Sequence, residues 1–295
     1  DWLQSTTASS AGQNQGATGG TVNTGALALS SVTTTAVSTI DSNSFSVAIN
    51  NAVSGAGGFT VIDSSGTGTG VVTFGGVNTY SGATAVNSGK LALAAGGSIA
   101  NTSGVSLGNG GTFDVAAKGG AGYTVNNLTG SGTVVGSLSV STQLAIGNSP
   151  GTTAFDNLTL GAASTYLFDV TGGVAPGVDS ADLGNVSGSL TLVSGTVLDL
   201  VQLGTYTQNN KFTLFGYTSG SLLGTFKDTT NATLADGATF TDGGGIWTID
   251  YDDTTAGANG GIGTRFVTVT AIPEPASVLL GGFGLLALLR RRRVR

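Results

Sequence analysis

Three groups of residues in this 295-residue chain have the types and spacings to do chemistry. The first is Gly147-Asn-Ser149-Pro-Gly151, which fits the G-x-S-x-G pattern of a serine nucleophile on a strand-to-helix turn. That chemistry needs a base such as His to take the hydroxyl proton, and the chain contains no His. Pro150 also blocks the helix that should follow, so the segment reads as a turn. The second group is Asp250, Asp252 and Asp253, whose hard oxygens suit Ca²⁺. In a strand, Asp250 and Asp252 share one face and Asp253 takes the other. No glycine–aspartate nonapeptide repeat accompanies them. Solvated turn acids are the expectation, and no metal or other cofactor is assigned. The third group is Asp169 and Asp199, which end the similar strands Phe168-Asp-Val170 and Leu198-Asp-Leu200 and could stack on one face. Two carboxylates roughly 5–10 Å apart, one with a raised pKa, can hydrolyse a glycosidic bond. Stacked acids are equally ordinary at strand ends, and no catalytic residue is assigned.

A stronger pattern lies at residues 272–295. Pro273 and Pro275 bracket Glu274, the only Glu in the chain, in a stiff segment that continues neither a strand nor a helix. Ala276 to Leu289 carries no charge. Arg290, Arg291, Arg292, Arg293 and Arg295 follow at once, as expected of a cytoplasmic membrane flank. As a helix, the apolar stretch is about 21 Å long at ~1.5 Å per residue, short of a ~30 Å hydrocarbon core. Snorkelling arginines and local thinning of the bilayer can close that gap. Burial against the body, a permanent anchor and a transient anchor all remain open on these grounds, although the arginines oppose burial.

These groups are positioned by an unusual chain. Charged residues make up only 9% and Gly accounts for 51 positions, yet 39% of residues are hydrophobic. Disordered chains lack that apolar content. The absence of Cys excludes disulfides and thiolate metal sites. Residues 1–272 hold 15 Asp and no Glu against five basic residues, so the body is acidic and nucleic acid is excluded as a partner.

From about residue 71 a short apolar or β-branched strand recurs between Gly, Asn and Asp corners. Val71-Val-Thr-Phe74, Lys90-Leu-Ala-Leu93, Gly111-Thr-Phe-Asp-Val115, Asn157-Leu-Thr-Leu160 and Tyr166-Leu-Phe-Asp-Val170 are examples. Each has three to five residues with period-two alternation. Corner Asn, Gly and Asp adopt left-handed backbone angles cheaply. Strands this short cannot bury a face alone, so successive turns of chain must stack.

Two resemblances sharpen this reading. Pro-Glu-Pro, the apolar stretch and the Arg cluster resemble the PEP-CTERM sorting signal of Gram-negative bacteria, with Ile272 where Val is usual. This implies recognition of Pro273, Glu274 and Pro275 by an exosortase, a membrane transpeptidase. It also implies transient insertion of residues 276–289 in the inner membrane and export to the cell surface or extracellular matrix. Gly76-Val-Asn-Thr-Tyr-Ser-Gly-Ala-Thr-Ala-Val-Asn-Ser-Gly-Lys-Leu-Ala-Leu93 looks like the autotransporter-associated β-strand repeat. Leu158-Thr-Leu to Asp169-Val170 is similar to the C-terminal passenger region, and Trp247-Thr-Ile-Asp-Tyr-Asp and Phe266-Val-Thr-Val-Thr resemble its final rungs.

The expected fold is therefore all-β, a right-handed parallel β-helix (β-solenoid) over residues 41–271. A polar or capping segment precedes it at 1–40, and a sorting tail with a short hydrophobic helix follows at 272–295. The expected protein is an exported, non-catalytic structural or adhesive component that meets exopolysaccharide. The alternative is a secreted carbohydrate-active enzyme on the same scaffold.

Overall fold

Backbone pairing organises the chain before any side chain does. The computed structural model describes residues 32–147, 150–171, 180–204, 207–218 and 220–273. They form an all-β structure whose one helical element is a 3-10 turn at Ala116–Ala121. Most strands pair in parallel with a strand 15 to 32 residues further along. Ser46 faces Val71, Val71 faces Lys90, Lys90 faces Thr112, and Thr112 faces Thr133. Three such ladders run through the body. One contains Phe59–Ile62, Thr84–Val86 and Val105–Leu107. The second contains Val71–Phe74, Gly89–Leu93 and Gly111–Asp114. The third links Tyr123–Val125, Leu138–Val140, Leu158–Leu160 and Leu190–Leu192. Pairing begins ahead of residue 41, because Val32–Thr34 lies along Val53–Gly55 and Ser38–Asp41 along Phe59–Ile62.

Parallel pairing in register places like positions directly above one another. In the second ladder Val72, Leu91, Phe113, Val134, Phe155 and Val186 face each other in turn, and all are buried. Alternate residues of the same strands are half-exposed, as period-two geometry requires. Phe59, Phe74 and Tyr80 meet edge to face, with Phe59 centroids 5.4 and 5.0 Å from the other two, and this arrangement adds to burial.

Not every strand is short. Thr133–Ile146 runs for 14 residues and Thr152–Leu160 for nine, because each crosses a corner without breaking. The register shift between Val134 and Ser137 contains Gly136 at φ 91, so a bulge bends the strand and lets one element serve two ladders.

The end of the body departs from the expected final rungs. Thr239–Asp242, Gly245–Asp253 and Arg265–Ile272 pair antiparallel, and Arg265–Ile272 also runs antiparallel to Lys211–Tyr217. Local chain length accounts for this. Gly243 and Gly244, both at positive φ, make a two-residue hairpin turn, far too short for a parallel crossover. Trp247 lies fully buried in this sheet, with its Nε1 donating to the Asp242 carbonyl at 3.0 Å. The expected C-terminal hydrophobic helix lies outside the described residues.

Phe113→Ala removes a ring from the middle of the Val72–Val186 column and should cost about 3–5 kcal/mol, read as a shift in the denaturant midpoint. Gly111→Ala should also destabilise, because its Cβ would lie 2.0 Å from the Val86 carbonyl oxygen. Wild-type midpoints in both variants would mean that the coils do not stack in this register.

Candidate functional site

The acidic residues are the natural place to look for a site, and the structure distributes them. Asp199 faces Leu167 and Asp169 faces Val201, so the two carboxylates sit two positions out of register rather than stacked. Each meets a different acid. The Asp169 carboxylate lies near Asp182, and that of Asp199 near Asp242. The Asp199 pKa is raised, chiefly by burial and then by the Asp242 charge.

Asp182, a residue that sequence reasoning missed, is the most perturbed acid. It is 1% exposed, and burial pushes its carboxyl up to about 7, with a further push from Asp169. The amide N–H groups of Asp169 and Gly151 donate to it, each at 3.2 Å, and pull the other way. A Cβ on Gly147 would lie 1.9 Å from Asp182 Oδ1. The end glycines of the formal G-x-S-x-G pattern, Gly147 at φ 90 and Gly151, thus both lie against this buried carboxyl. Ser149 lies outside the described residues. Nothing in Ala181-Asp182-Leu183 advertises the burial: alternation would turn Asp182 outward, whereas Ala181 through Gly184 are buried consecutively.

The run at 250–253 is also divided. Asp250 and Asp252 are exposed on one side of their strand, as its period predicts. Arg265 Nε lies 2.8 Å from Asp252 Oδ1, a close charge contact without the alignment of a hydrogen bond. Asp253 accepts from Lys211 Nζ at 2.7 Å and from Thr268 Oγ1 at 3.0 Å. Its pKa falls to about 2 because these bonds, with the Thr255 amide, outweigh burial. Two of the three acids are already matched by cations. Among the described residues no cluster of His, Cys, Asp or Glu could hold a metal ion.

A common use connects these acids: their oxygens accept from main-chain amides at turns and along strands. Asp63 accepts from the amides of Ser44, Ser65 and Gly70, and the Ser65 hydroxyl adds to the pull that lowers its pKa to about 2. Asp156 accepts from Gly136, Asp236 from Tyr251, and Asp242 from Leu200. Asn does the same between coils. Asn78 Oδ1 accepts from the Val53 amide at 2.9 Å while its Nδ2 donates to the Ser98 carbonyl. Corner Asn and Asp mostly supply partners to backbone groups, and left-handed angles fall on few of them, Asn43, Asn209 and Asn231.

Outside these corners, the candidate site is the junction of body and tail. Arg265–Ile272 is flanked by strands on both sides and ends with Ile272 facing Ile246. Pro273 follows immediately and is exposed. Glu274, Pro275, the apolar stretch 276–289 and the five tail arginines lie outside the described residues. Among the described residues no helix is long and apolar enough to cross a membrane. Residues 271–293 match the PEP-CTERM protein-sorting motif. No curated protein sequence matches the chain.

Asp182 sets a pH signature. An unfolded carboxyl releases its proton near 3.8, whereas the folded one holds it to about 7. The proton-bound native state is favoured between those values, so this group's contribution is lost as pH rises from about 4 to about 7. Asp182→Asn removes that loss while keeping a carbonyl acceptor for one of the two amides. The melting temperature of the variant minus that of wild type should therefore climb across this window and level off above it. A difference that is flat with pH would contradict the assignment.

Proposed function

We propose that this chain is an exported structural or adhesive protein of the bacterial cell surface or exopolysaccharide matrix, delivered by exosortase processing of its tail. The observation that carries the reading is the PEP-CTERM match at residues 271–293, which begins as the last strand of the body ends. The motif marks an exported protein sorted through its C-terminal tail. In the proposed sequence of events, Arg290–Arg293 and Arg295 hold the apolar stretch 276–289 in the inner membrane of a Gram-negative cell. The exosortase then acts at Pro273-Glu274-Pro275.

The body in this proposal is a right-handed parallel β-helix of autotransporter-associated type, closed by its antiparallel C-terminal sheet. Repeated parallel pairing, at steps of 25, 19, 22 and 21 residues from Ser46 to Thr133, supports it. So does the resemblance of residues 76–93 to that repeat. The non-catalytic part of the proposal rests on how the acids are used. Asp182, the one whose pKa suits a general acid, is sealed from solvent, and others hold amides, Lys211 or Arg265. The faces offered to a partner are then half-exposed Ser, Thr and Asn on an acidic rod, suited to hydrogen bonding with polysaccharide.

Intact-mass analysis of surface-extracted protein tests the sorting proposal. The expected mature form lacks the residues that follow the Pro-Glu-Pro region, and replacement of Pro273, Glu274 and Pro275 by Ala should leave a full-length precursor in the membrane. A mature surface form that still ends at Arg295 would overturn it. Depolymerisation of the host's exopolysaccharide by the purified protein, abolished in Asp169→Ala or Asp199→Ala, would favour the enzyme instead.

A further inference from the structure

An asparagine followed by glycine is the step at which the main chain most easily attacks a side-chain carboxamide. Glycine brings no Cβ to block the approach, and its backbone turns freely. This chain has two such steps, Asn109-Gly110 and Asn259-Gly260, and the fold treats them oppositely.

Asn259 is clamped. Its Oδ1 accepts from the Thr213 amide at 2.8 Å, and its Nδ2 donates to the carbonyls of Asp182 and Thr213, both at 3.0 Å. The Gly260 amide donates to the Gly257 carbonyl at 3.0 Å. The carboxamide and the nitrogen that would attack it are both held, so they react only where this part of the fold opens.

Asn109 sits at the corner between Val105–Leu107 and Gly111–Asp114, and both it and Gly110 are exposed. The Gly111 amide donates to the Gly108 carbonyl at 2.9 Å and closes a β-turn over these two residues. Gly110 has φ 94, the left-handed third position of a type II turn. Among the described residues, neither the Asn109 carboxamide nor the Gly110 N–H has a hydrogen-bond partner. A Cβ on Gly110 would meet nothing within 4 Å, so a ring has room to close there, ammonia to leave and water to enter.

We infer that Asn109 is a site of spontaneous modification, at which the Gly110 nitrogen displaces ammonia from the Asn109 side chain. The bond from Gly110 N to Asn109 Cγ forms, the Cγ–Nδ2 bond breaks, and the Gly110 amide proton passes to solvent as ammonia leaves. Water then opens the resulting cyclic imide at one of its two carbonyls. Attack at Cγ gives aspartate in the normal linkage. Attack at the main-chain carbonyl gives isoaspartate, with one extra carbon in the main chain. Water taken up and ammonia released balance the change, so no oxidant, reductant or enzyme is needed. The two products differ in consequence. Aspartate adds a carboxylate to an already acidic body. Isoaspartate lengthens the chain just ahead of Gly111, where even a Cβ would lie 2.0 Å from the Val86 carbonyl oxygen, so the corner loses its fit against Thr84–Val86. The site lies within the body, and its reactivity is independent of how the tail is sorted.

Ageing the purified full-length protein in mildly alkaline heavy-oxygen water, followed by peptide mass mapping, tests the inference. Aspartate and isoaspartate at position 109, both carrying the heavy oxygen, should accumulate about tenfold or more faster than any change at 259. That ratio reflects the small fraction of molecules in which the Asn259 clamp is open. In urea, where neither residue is held, the two rates should converge. Asn109→Ser should remove the product from this peptide, and freshly prepared Asn109→Asp gives the standard for the normal linkage. Isoaspartate arises only through the imide, so aspartate alone at 109 would overturn the mechanism. An Asn109 that stays intact in the folded protein while the urea-unfolded chain reacts would overturn the site. Equal rates at 109 and 259 in the folded protein would do the same.

Discussion

Most of this body depends on one constraint: each strand must lie beside a strand further along the chain, in parallel and in register, at hydrogen-bonding distance. That spacing turns a weak local pattern into a core. A strand of three to five residues buries too little to hold itself, but a column such as Val72, Leu91, Phe113, Val134, Phe155 and Val186 has an apolar neighbour above and below at each interior step. The same spacing forbids side chains where coils approach through their backbones. A Cβ at Gly97 or Gly111 would meet a carbonyl oxygen of the preceding coil at 2.0 Å, so part of the high Gly content is a packing requirement. At turns and along strands, Asp and Asn side chains accept from main-chain amides such as those of Gly70, Leu200 and Val53. This satisfies groups that would cost about 1–3 kcal/mol each if buried without a partner.

Parallel stacking also creates an edge that has to end somewhere. The chain ends it with a change of direction. The Gly243-Gly244 hairpin and the return of Arg265–Ile272 convert the ladder into an antiparallel sheet around Phe212, Trp247, Ile249 and Val269, which are all fully buried. The fold thereby delivers Pro273 to the surface at a defined place, and the last strand of the body, ending at Ile272, takes in the first two residues of the motif matched at 271–293. Acidic residues contribute to this closure too: Asp242 ties the hairpin to the Leu200 amide, and Asp253 binds Lys211 across the sheet.

How much of this could be read in advance depended on whether the signal was local. Val71–Phe74 and the Lys90-Leu-Ala-Leu93 unit were legible because period-two alternation and flanking Gly are local properties, and the all-β class followed. The tail was legible because three chemically distinct segments occur in a fixed order. Long strands such as Thr133–Ile146 were not, since a bulge at Gly136 lets pairing continue through what composition marks as a corner. The antiparallel end escaped because Trp247-Thr-Ile-Asp and Phe266-Val-Thr-Val alternate just as a parallel strand would; only the connection lengths distinguish them. Asp182 was invisible for a related reason: its burial comes from neighbours on other coils, and its own sequence suggests an outward side chain. The pairing of Asp169 with Asp182 and of Asp199 with Asp242 likewise needed the register, which repeats of similar composition do not specify.

The central claim is that the stacked body is closed by its last strand, directly against the sorting motif. Peptide-resolved hydrogen–deuterium exchange on the full-length chain tests this most directly. The account predicts that amides of Val267–Ala271 exchange as slowly as those of Gly111–Asp114 in the middle of the stack. Fast exchange throughout Arg265–Ile272, with the stack still protected, would contradict it.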